Sequence, residues 1–507
     1  MNTKRLTQAA SAAMTLLLAA GTVACSSPEQ TTPVAAAEKP TEIRILTTTY
    51  AESPGNELES LKRLNEKFNV KLSVQYEPIN NYQDKLNALL ASNELPDVTL
   101  VWSTTVASYT TAIKQGAFWD LTPYIPQYPN LAKLPEQVYK NLLVSGKTVG
   151  IPRVRPLDGH EALIIRKDWL NQLGLPLPKT SEELYKVMEA FTNSDPDGNG
   201  KPDTYGMATG LGPSFQSYLT SMFGTRTNWS ADGAGGIQPA WWTLAYKQAL
   251  EYWNRAYKDK LVTPDLAIVK YAQIKDQMLK GKAGLTISNI SDAAIWNQDL
   301  KKTNPQAQLI AVELPAAPDG KTYYEQAVGS FGLFMVNKKV SEDKLKKILE
   351  VYDYASTTEG YNLVTYGIKD TDYSIGADGA IVQTEDGKKK GYSQSTTGQW
   401  IAGVFDPYLR ASYPGISAEE KAANYKLVDT IGAQSLPDPG TGLDSPTWAQ
   451  KGADWKKKID DTVINTVIGK TPVADWDRFV QSFKEDASFQ KYVAEINEAY
   501  KEKNRKP

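Results

Sequence analysis

Five consecutive segments set the fold: TEIRILTTTY (Thr41–Tyr50), GNELESLKRLNEKFN (Gly55–Asn69), KLSVQYE (Lys71–Glu77), NYQDKLNALLASN (Asn81–Asn93) and PDVTLVW (Pro96–Trp102). Ile43–Leu46 reads as a strand. Leu58, Leu61, Leu64 and Phe68 share one helical face, and Leu72, Val74 and Tyr76 alternate with Ser73 and Gln75 as in a half-buried strand. Tyr82, Leu86, Leu89 and Leu90 mark a second amphipathic helix, and Asp97–Trp102 a third strand. Strands alternating with helices predict a mostly parallel sheet covered on both faces. Ligands of such sheets bind beyond the carboxyl ends of the strands, which puts Thr47–Ser53 and Trp102–Thr105 on a rim.

The alternation continues outward. Gly150-Ile151-Pro152 leads to a strand at Ala162–Ile165, and Thr180-Ser181-Glu182-Glu183 is a capping box opening a helix with Leu184, Val187, Met188 and Phe191 on its apolar face. Gly284–Ser288, Leu309–Leu314 and Ser330–Val336 read as further strands, and Ser341–Tyr354 as a helix. No period of 20–50 residues is visible, which excludes solenoids and propellers.

Composition narrows the chemistry. The 507 residues include one His and one Cys, so neither a disulfide within the chain, nor a zinc finger, nor a cysteine-held iron–sulfur cluster can be assembled. A Ser-His-Asp mechanism would rest on His160 alone, and no G-x-S-x-G elbow is present. The formal net charge is −2 with no basic stripe, so nucleic acid is not an expected partner. Twelve Trp and 27 Tyr against 11 Phe favour rings that carry a polar tip, suited to binding as well as packing.

At the N-terminus, Lys4 and Arg5 precede the apolar run Met14–Ala20, and small residues lead to Cys25. This is the layout of a secretory signal, residues 1–24. Thr22-Val23-Ala24-Cys25 resembles a bacterial lipobox, in which the cysteine is diacylated, with Thr22 where the pattern prefers Leu. A Pro/Ser/Ala-rich tether, residues 25–40, follows. The expectation is a body outside the cytoplasm, anchored to the membrane through lipid on Cys25; the other reading is a plain secretory signal with an incidental cysteine.

Asp195-Pro196-Asp197-Gly198-Asn199-Gly200-Lys201-Pro202-Asp203 has oxygen ligands at relative positions 1, 3, 5 and 9 and Gly at 6. That is EF-hand spacing, with the Lys201 carbonyl at position 7. Position 12, where a bidentate Glu belongs, is Gly206. The expectation is structural Ca²⁺ held by Asp195, Asp197, Asn199, Lys201 and Asp203, against an Asx-rich turn without metal.

The order of features resembles the family 1 extracellular solute-binding proteins of carbohydrate ABC importers, in particular the long lipoproteins of Bacillus and Paenibacillus and the alginate-oligosaccharide-binding proteins. The carriers are the lipobox region, Asn81–Leu86 with Leu95–Val98, Gly146–Pro152, Leu163–Leu170, Met278–Gly284, and Val467–Pro472 with Asp475–Val480. The resemblance covers essentially the whole chain. It implies a monomeric, non-enzymatic type II binding fold with two α/β lobes, each a mixed, mostly parallel sheet flanked by helices, hinged about a cleft and delivering an oligosaccharide to permease subunits. The N-terminal lobe would comprise 41–155 plus 318–410 and the C-terminal lobe 156–317 plus 411–507, with crossings near 153–160, 312–325 and 400–415.

Sugars present apolar faces and hydroxyl edges, so stacking rings and edge-binding polar groups are the candidates. They are Tyr50, Trp102, Phe215, Tyr218, Trp296, Trp448 and Trp455, with Arg153, Arg155 and His160 at the first crossing. The two arginines would hold a uronate carboxylate or tie the hinge to nearby carbonyls. Two readings stay open beside oligosaccharide binding. A lipid-anchored glycoside hydrolase would need a carboxylate pair about 5–9.5 Å apart, and the same scaffold could take a peptide or other non-sugar ligand.

Overall fold

The stretch Thr41–Trp102 supplies three strands of a five-stranded sheet. In chain order the strands are β1 (Thr41–Thr49), β2 (Val70–Pro78), β3 (Val98–Val101), β4 (Ile151–Val154), β5 (Glu161–Arg166), β6 (Tyr205–Met207), β7 (Trp229–Ala231), β8 (Ile237–Pro239), β9 (Ala283–Asn289), β10 (Leu309–Val312) and β11 (Ser330–Val336). The computed structural model describes residues 39–505 except 103, 105–106, 159–160, 211–217, 219, 377–380 and 412–415. The expectations for the leader, for Cys25 and most of its tether, and for His160 and Phe215 lie outside the described residues.

The first sheet runs β2-β1-β3-β11-β4. β1 is parallel to β2 and β3, while β11 enters antiparallel to both β3 and β4. The second sheet runs β10-β5-β9-β6, and only β6 with β9 is parallel. Both sheets are mixed, as the resemblance implies, with more antiparallel pairing than it implies. The antiparallel pairs come from β11, which lies between β3 and β4, and from β9 and β10 on either side of β5. Pro152, which has no N–H for the ladder, sits on the edge strand β4 where that loss is tolerated.

Local chemistry explains the helix ends. Asn69 and Asn93 close the helices Glu59–Phe68 and Ile79–Ser92 with left-handed φ of 49° and 58°, a conformation Asn accepts more readily than most residues. Thr180 caps Ser181–Asn193 by accepting from the Glu183 N–H at 3.2 Å, and the Glu183 carboxylate accepts from the Lys179 N–H at 2.7 Å. Leu61, Leu64, Tyr82 and Leu86 then bury against the first sheet, and Leu184, Met188 and Phe191 against the second. Among the described residues no helix is long and apolar enough to cross a membrane.

The chain passes between the sheets three times. It leaves the first after Val154 and enters the second at Glu161, and it returns between Val312 and Ser330. Later, Ala402 O accepts from Val154 N beside the first sheet, and Arg410 O accepts from Ser291 N beside the second.

Candidate functional site

Three features meet at the rim of the first sheet. Trp102 follows β3 and stacks on Tyr82, ring centroids 5.1 Å apart. β11 carries a bulge between Ser330 and Leu333 where it pairs with β4. Within it Gly332 has φ +88°, and a Cβ there would lie 2.6 Å from Val101 O, so only glycine lets β11 run this close to β3. Phe331, inside the same bulge, lies 6.2 Å from Trp102 and has the guanidinium carbons of Arg153 and Arg155 at 5.3 and 6.0 Å from its ring centre.

A cavity of about 430 Å³ opens beside Trp102. On the first-sheet side it is lined by Trp102, Thr104, Lys114, Asn141 and Ser330, and on the second-sheet side by Asn228, Trp229, Asp438, Trp448 and Asp460. Trp448 sits in the first turn of the helix Pro446–Val467, whose cap Ser445 accepts from the Trp448 N–H at 2.9 Å. Glu495 fixes that turn from below by accepting from Ser445 Oγ, Thr447 N and Thr447 Oγ1. The Trp448 ring stacks on Tyr492 at 4.7 Å and stays half-buried at the wall. Lys114 and Asp444 form an ion pair across the mouth at 3.4 Å.

The remaining candidates divide sharply. Tyr50, half exposed after β1, feels the positive charge of Arg153, Arg155 and Arg410, although burial on balance raises its pKa. Trp455, seven residues beyond Trp448 on the same helix, is buried behind it against Phe489 and Tyr492. Tyr218 is buried in the core under the second sheet. Trp296 is 1% exposed and packs in a core with Met278 and Leu309. The expectation that these three rings face a ligand does not match their placement, because their helices turn them onto the core. At the start of the helix Ile290–Thr303 that carries Trp296, Asp292 accepts from the exposed Tyr271 at 2.9 Å, and Ser288 donates to the same oxygen.

Sequence reading did not single out Trp229, Phe331, Tyr361, Arg410, Glu161 or Asp292 for this region. Glu161, at the start of β5, has its carboxyl pushed up to about 7 by burial and by Asp292, with Arg410 opposing. Asp438 is pushed up to about 6 by burial and Glu325, against hydrogen bonds from Gly440 and Asn228.

Hydrogen bonds tie the acidic loop together. The Asn199 amide donates to Asp197 Oδ2 at 2.7 Å and Asp203 Oδ1 at 3.2 Å, and the Asn199 and Gly200 N–H groups donate to Asp195 at 3.1 and 2.9 Å. Burial and the neighbouring Asp195 raise the Asp197 carboxyl. Lys282 pairs with Asp203 at 2.6 Å. Among the described residues, no three His, Cys, Asp or Glu side chains are grouped so as to hold a metal.

Known proteins resemble the chain throughout its length. The family of bacterial extracellular solute-binding proteins matches residues 53–362. The polygalacturonan/rhamnogalacturonan-binding protein YtcQ of Bacillus subtilis is 29% identical over 457 residues, covering 89% of this chain and 90% of its own. Among solved structures, the alginate-binding protein AlgQ2, described without calcium ion, superposes with a TM-score of 0.71 at 19% identity, covering 91% of this chain and 98% of its own. The FusA substrate-binding protein of Streptococcus pneumoniae, in complex with kestose, gives 0.68 at 17% identity, covering 91% and 99%.

Proposed function

Since the chain belongs to the bacterial extracellular solute-binding proteins, with their type II fold, we propose that it is the substrate-binding component of an ABC importer. It captures an oligosaccharide between the two sheets and hands it to permease subunits without chemical change. The supporting observation is the cavity of about 430 Å³ with Trp102 on one wall and Trp448 and Trp229 on the other. Rings facing each other across such a space can each cover an apolar sugar face, while Asn141, Asn228 and Asp438 reach hydroxyl edges. The three passages of chain between the sheets are the hinge in this reading, with lobes at 41–155 plus 318–410 and 156–317 plus 411–507. Closure buries the ligand and presents one surface to the permease.

Titration calorimetry of the soluble body with pectic, alginate and fructan oligosaccharides tests this. Saturable binding with the sugar recovered intact supports it. Recovery of shortened sugar overturns it in favour of a hydrolase, and saturable binding of peptides alone overturns it in favour of a non-sugar carrier.

The Asp195–Asp203 loop is a calcium loop in this reading, because its donors are oxygen-rich and its backbone N–H groups already orient Asp195. Asp195, Asp197, Asn199, the Lys201 carbonyl and Asp203 would hold the ion, which would stiffen the turn leading into β6. Its affinity is weakened by Gly206 at position 12 and by Lys282 on Asp203. A stoichiometric calcium content that chelation removes, together with a fall in Tm, supports it. No calcium after equilibration at millimolar concentration refutes it. Lipid on Cys25 is tested by partition of the full chain into detergent and its loss in Cys25→Ser.

A further inference from the structure

The ligands named for the relatives differ in charge: polygalacturonan is a polyacid and kestose is neutral. The cleft floor of this chain bears on that difference. Arg153 lies on β4 and Arg155 directly follows its end, and both guanidinium groups lie within 6.0 Å of the Phe331 ring centre. Arg153 is 3% exposed, and its Nε is buried without a hydrogen-bond partner among the described residues. Arg155 donates to Val154 O at 2.8 Å. Arg410, on the third passage of chain, adds a further positive charge.

Among the described residues no carboxylate forms an ion pair with any of the three. The groups acting on Arg153 and Arg155 are one another, Arg410 and the phenols of Tyr50 and Tyr361. Glu161 and Asp292, on the second-sheet side, do not act on Arg153 or Arg155, whereas Arg410 acts on both arginines and on Glu161. A guanidinium stays charged when buried and its planar fork matches a carboxylate. A buried cation of this kind without a counter-charge is costly, and an anion entering the site would remove that cost.

We propose that Arg153, Arg155 and Arg410, beneath Tyr50 and Tyr361, receive a carboxylate of the bound sugar, so that the ligand is a uronic-acid-containing oligosaccharide. The proposal rests on the oligosaccharide reading above. Position supports a chain of sugars. Phe331 links the two groups, 6.2 Å from Trp102 and 5.3 Å from the Arg153 guanidinium, so a sugar on Trp102 and a carboxylate on the arginines can belong to one ligand. Tyr50, 50% exposed, leaves the group reachable from the cleft.

The test compares trigalacturonate with its methyl ester, which keeps each ring and removes the charge. Calorimetry of the soluble body should show the acid bound at least tenfold more tightly, with the preference shrinking as salt is raised. Arg155→Gln and Arg410→Gln should reduce the preference while leaving ester affinity within a few-fold. Both positions are only partly buried, so they serve if Arg153→Gln fails to fold. Equal affinity of wild type for acid and ester overturns the proposal, as does an equal loss for both ligands in the variants. Tight binding of neutral fructan oligosaccharides alone also overturns it while the importer reading stands. If no oligosaccharide of either charge binds, it is the importer reading that falls.

Discussion

The two walls of the cleft are built by different means. On the first-sheet side the proposed binding groups sit where strands end: Tyr50 after β1, Trp102 after β3, Arg153 and Arg155 at the end of β4, and Phe331 in the bulge of β11. On the second-sheet side Trp229 lies on a two-stranded hairpin, Trp448 at a helix start, and Asp438 in a loop, none of them on the four-stranded sheet. One wall is a property of sheet geometry. The other depends on long-range fastening such as Glu495 holding the Trp448 turn. The first wall should thus tolerate change in its supports, and the second should fail when a distant tie is cut.

The strongest way to test this contrast uses Trp296, which shares a chemistry with Trp448 and none of its placement. Trp296→Ala empties a buried site and should cost about 3–5 kcal/mol of stability, with ligand affinity unchanged in the fraction that folds. Chemical denaturation and calorimetry measure both. A large loss of affinity at unchanged stability would return Trp296 to the binding surface.

Next in size is a pH effect from the acidic side of the cleft. Glu161 and Asp438 hold their protons more tightly folded than unfolded, at about 7 and about 6. Their contribution to stability is complete below about pH 4, near the unfolded carboxylate values, and is lost as pH rises through 6 and 7. Glu161→Gln should flatten the decline in urea-derived stability over that window by roughly 2–3 kcal/mol. An unchanged pH profile would show that Glu161 ionises freely.

Smaller again, Trp102→Ala and Trp448→Ala should each weaken oligosaccharide binding about tenfold, in line with roughly 1–1.5 kcal/mol for a ring contact. Glu495→Gln should reproduce part of the Trp448 loss without touching the cavity. The least effect belongs to the ion pair across the mouth. Lys114→Met should shift affinity by no more than a few-fold, since both partners are partly exposed. A tenfold change would mean that the pair latches the closed form.

How much of this was legible follows from the same contrast. Period-two and period-3.6 patterns in Thr41–Trp102 put Tyr50 and Trp102 on a rim because strand ends are local features. Trp296, Trp455 and Tyr218 were misplaced because sequence shows that a helix is present without showing which face meets the core. Arg410 and Phe331 escaped notice because one lies in irregular chain and the other in a bulge whose signal is the single residue Gly332. The acidic loop was legible in its spacing, whereas the pairing of Lys282 with Asp203 came from the neighbouring strand β9 and its preceding turn.

The most direct test of a cleft that binds between two aromatic walls is a single set of titrations. Wild type, Trp102→Ala and Trp448→Ala are titrated with one tight-binding oligosaccharide, and the sugar is recovered afterwards by chromatography. The expected result is one site per chain, a loss in both variants, and sugar of unchanged length. Full affinity in either variant, or shortened sugar, would contradict it.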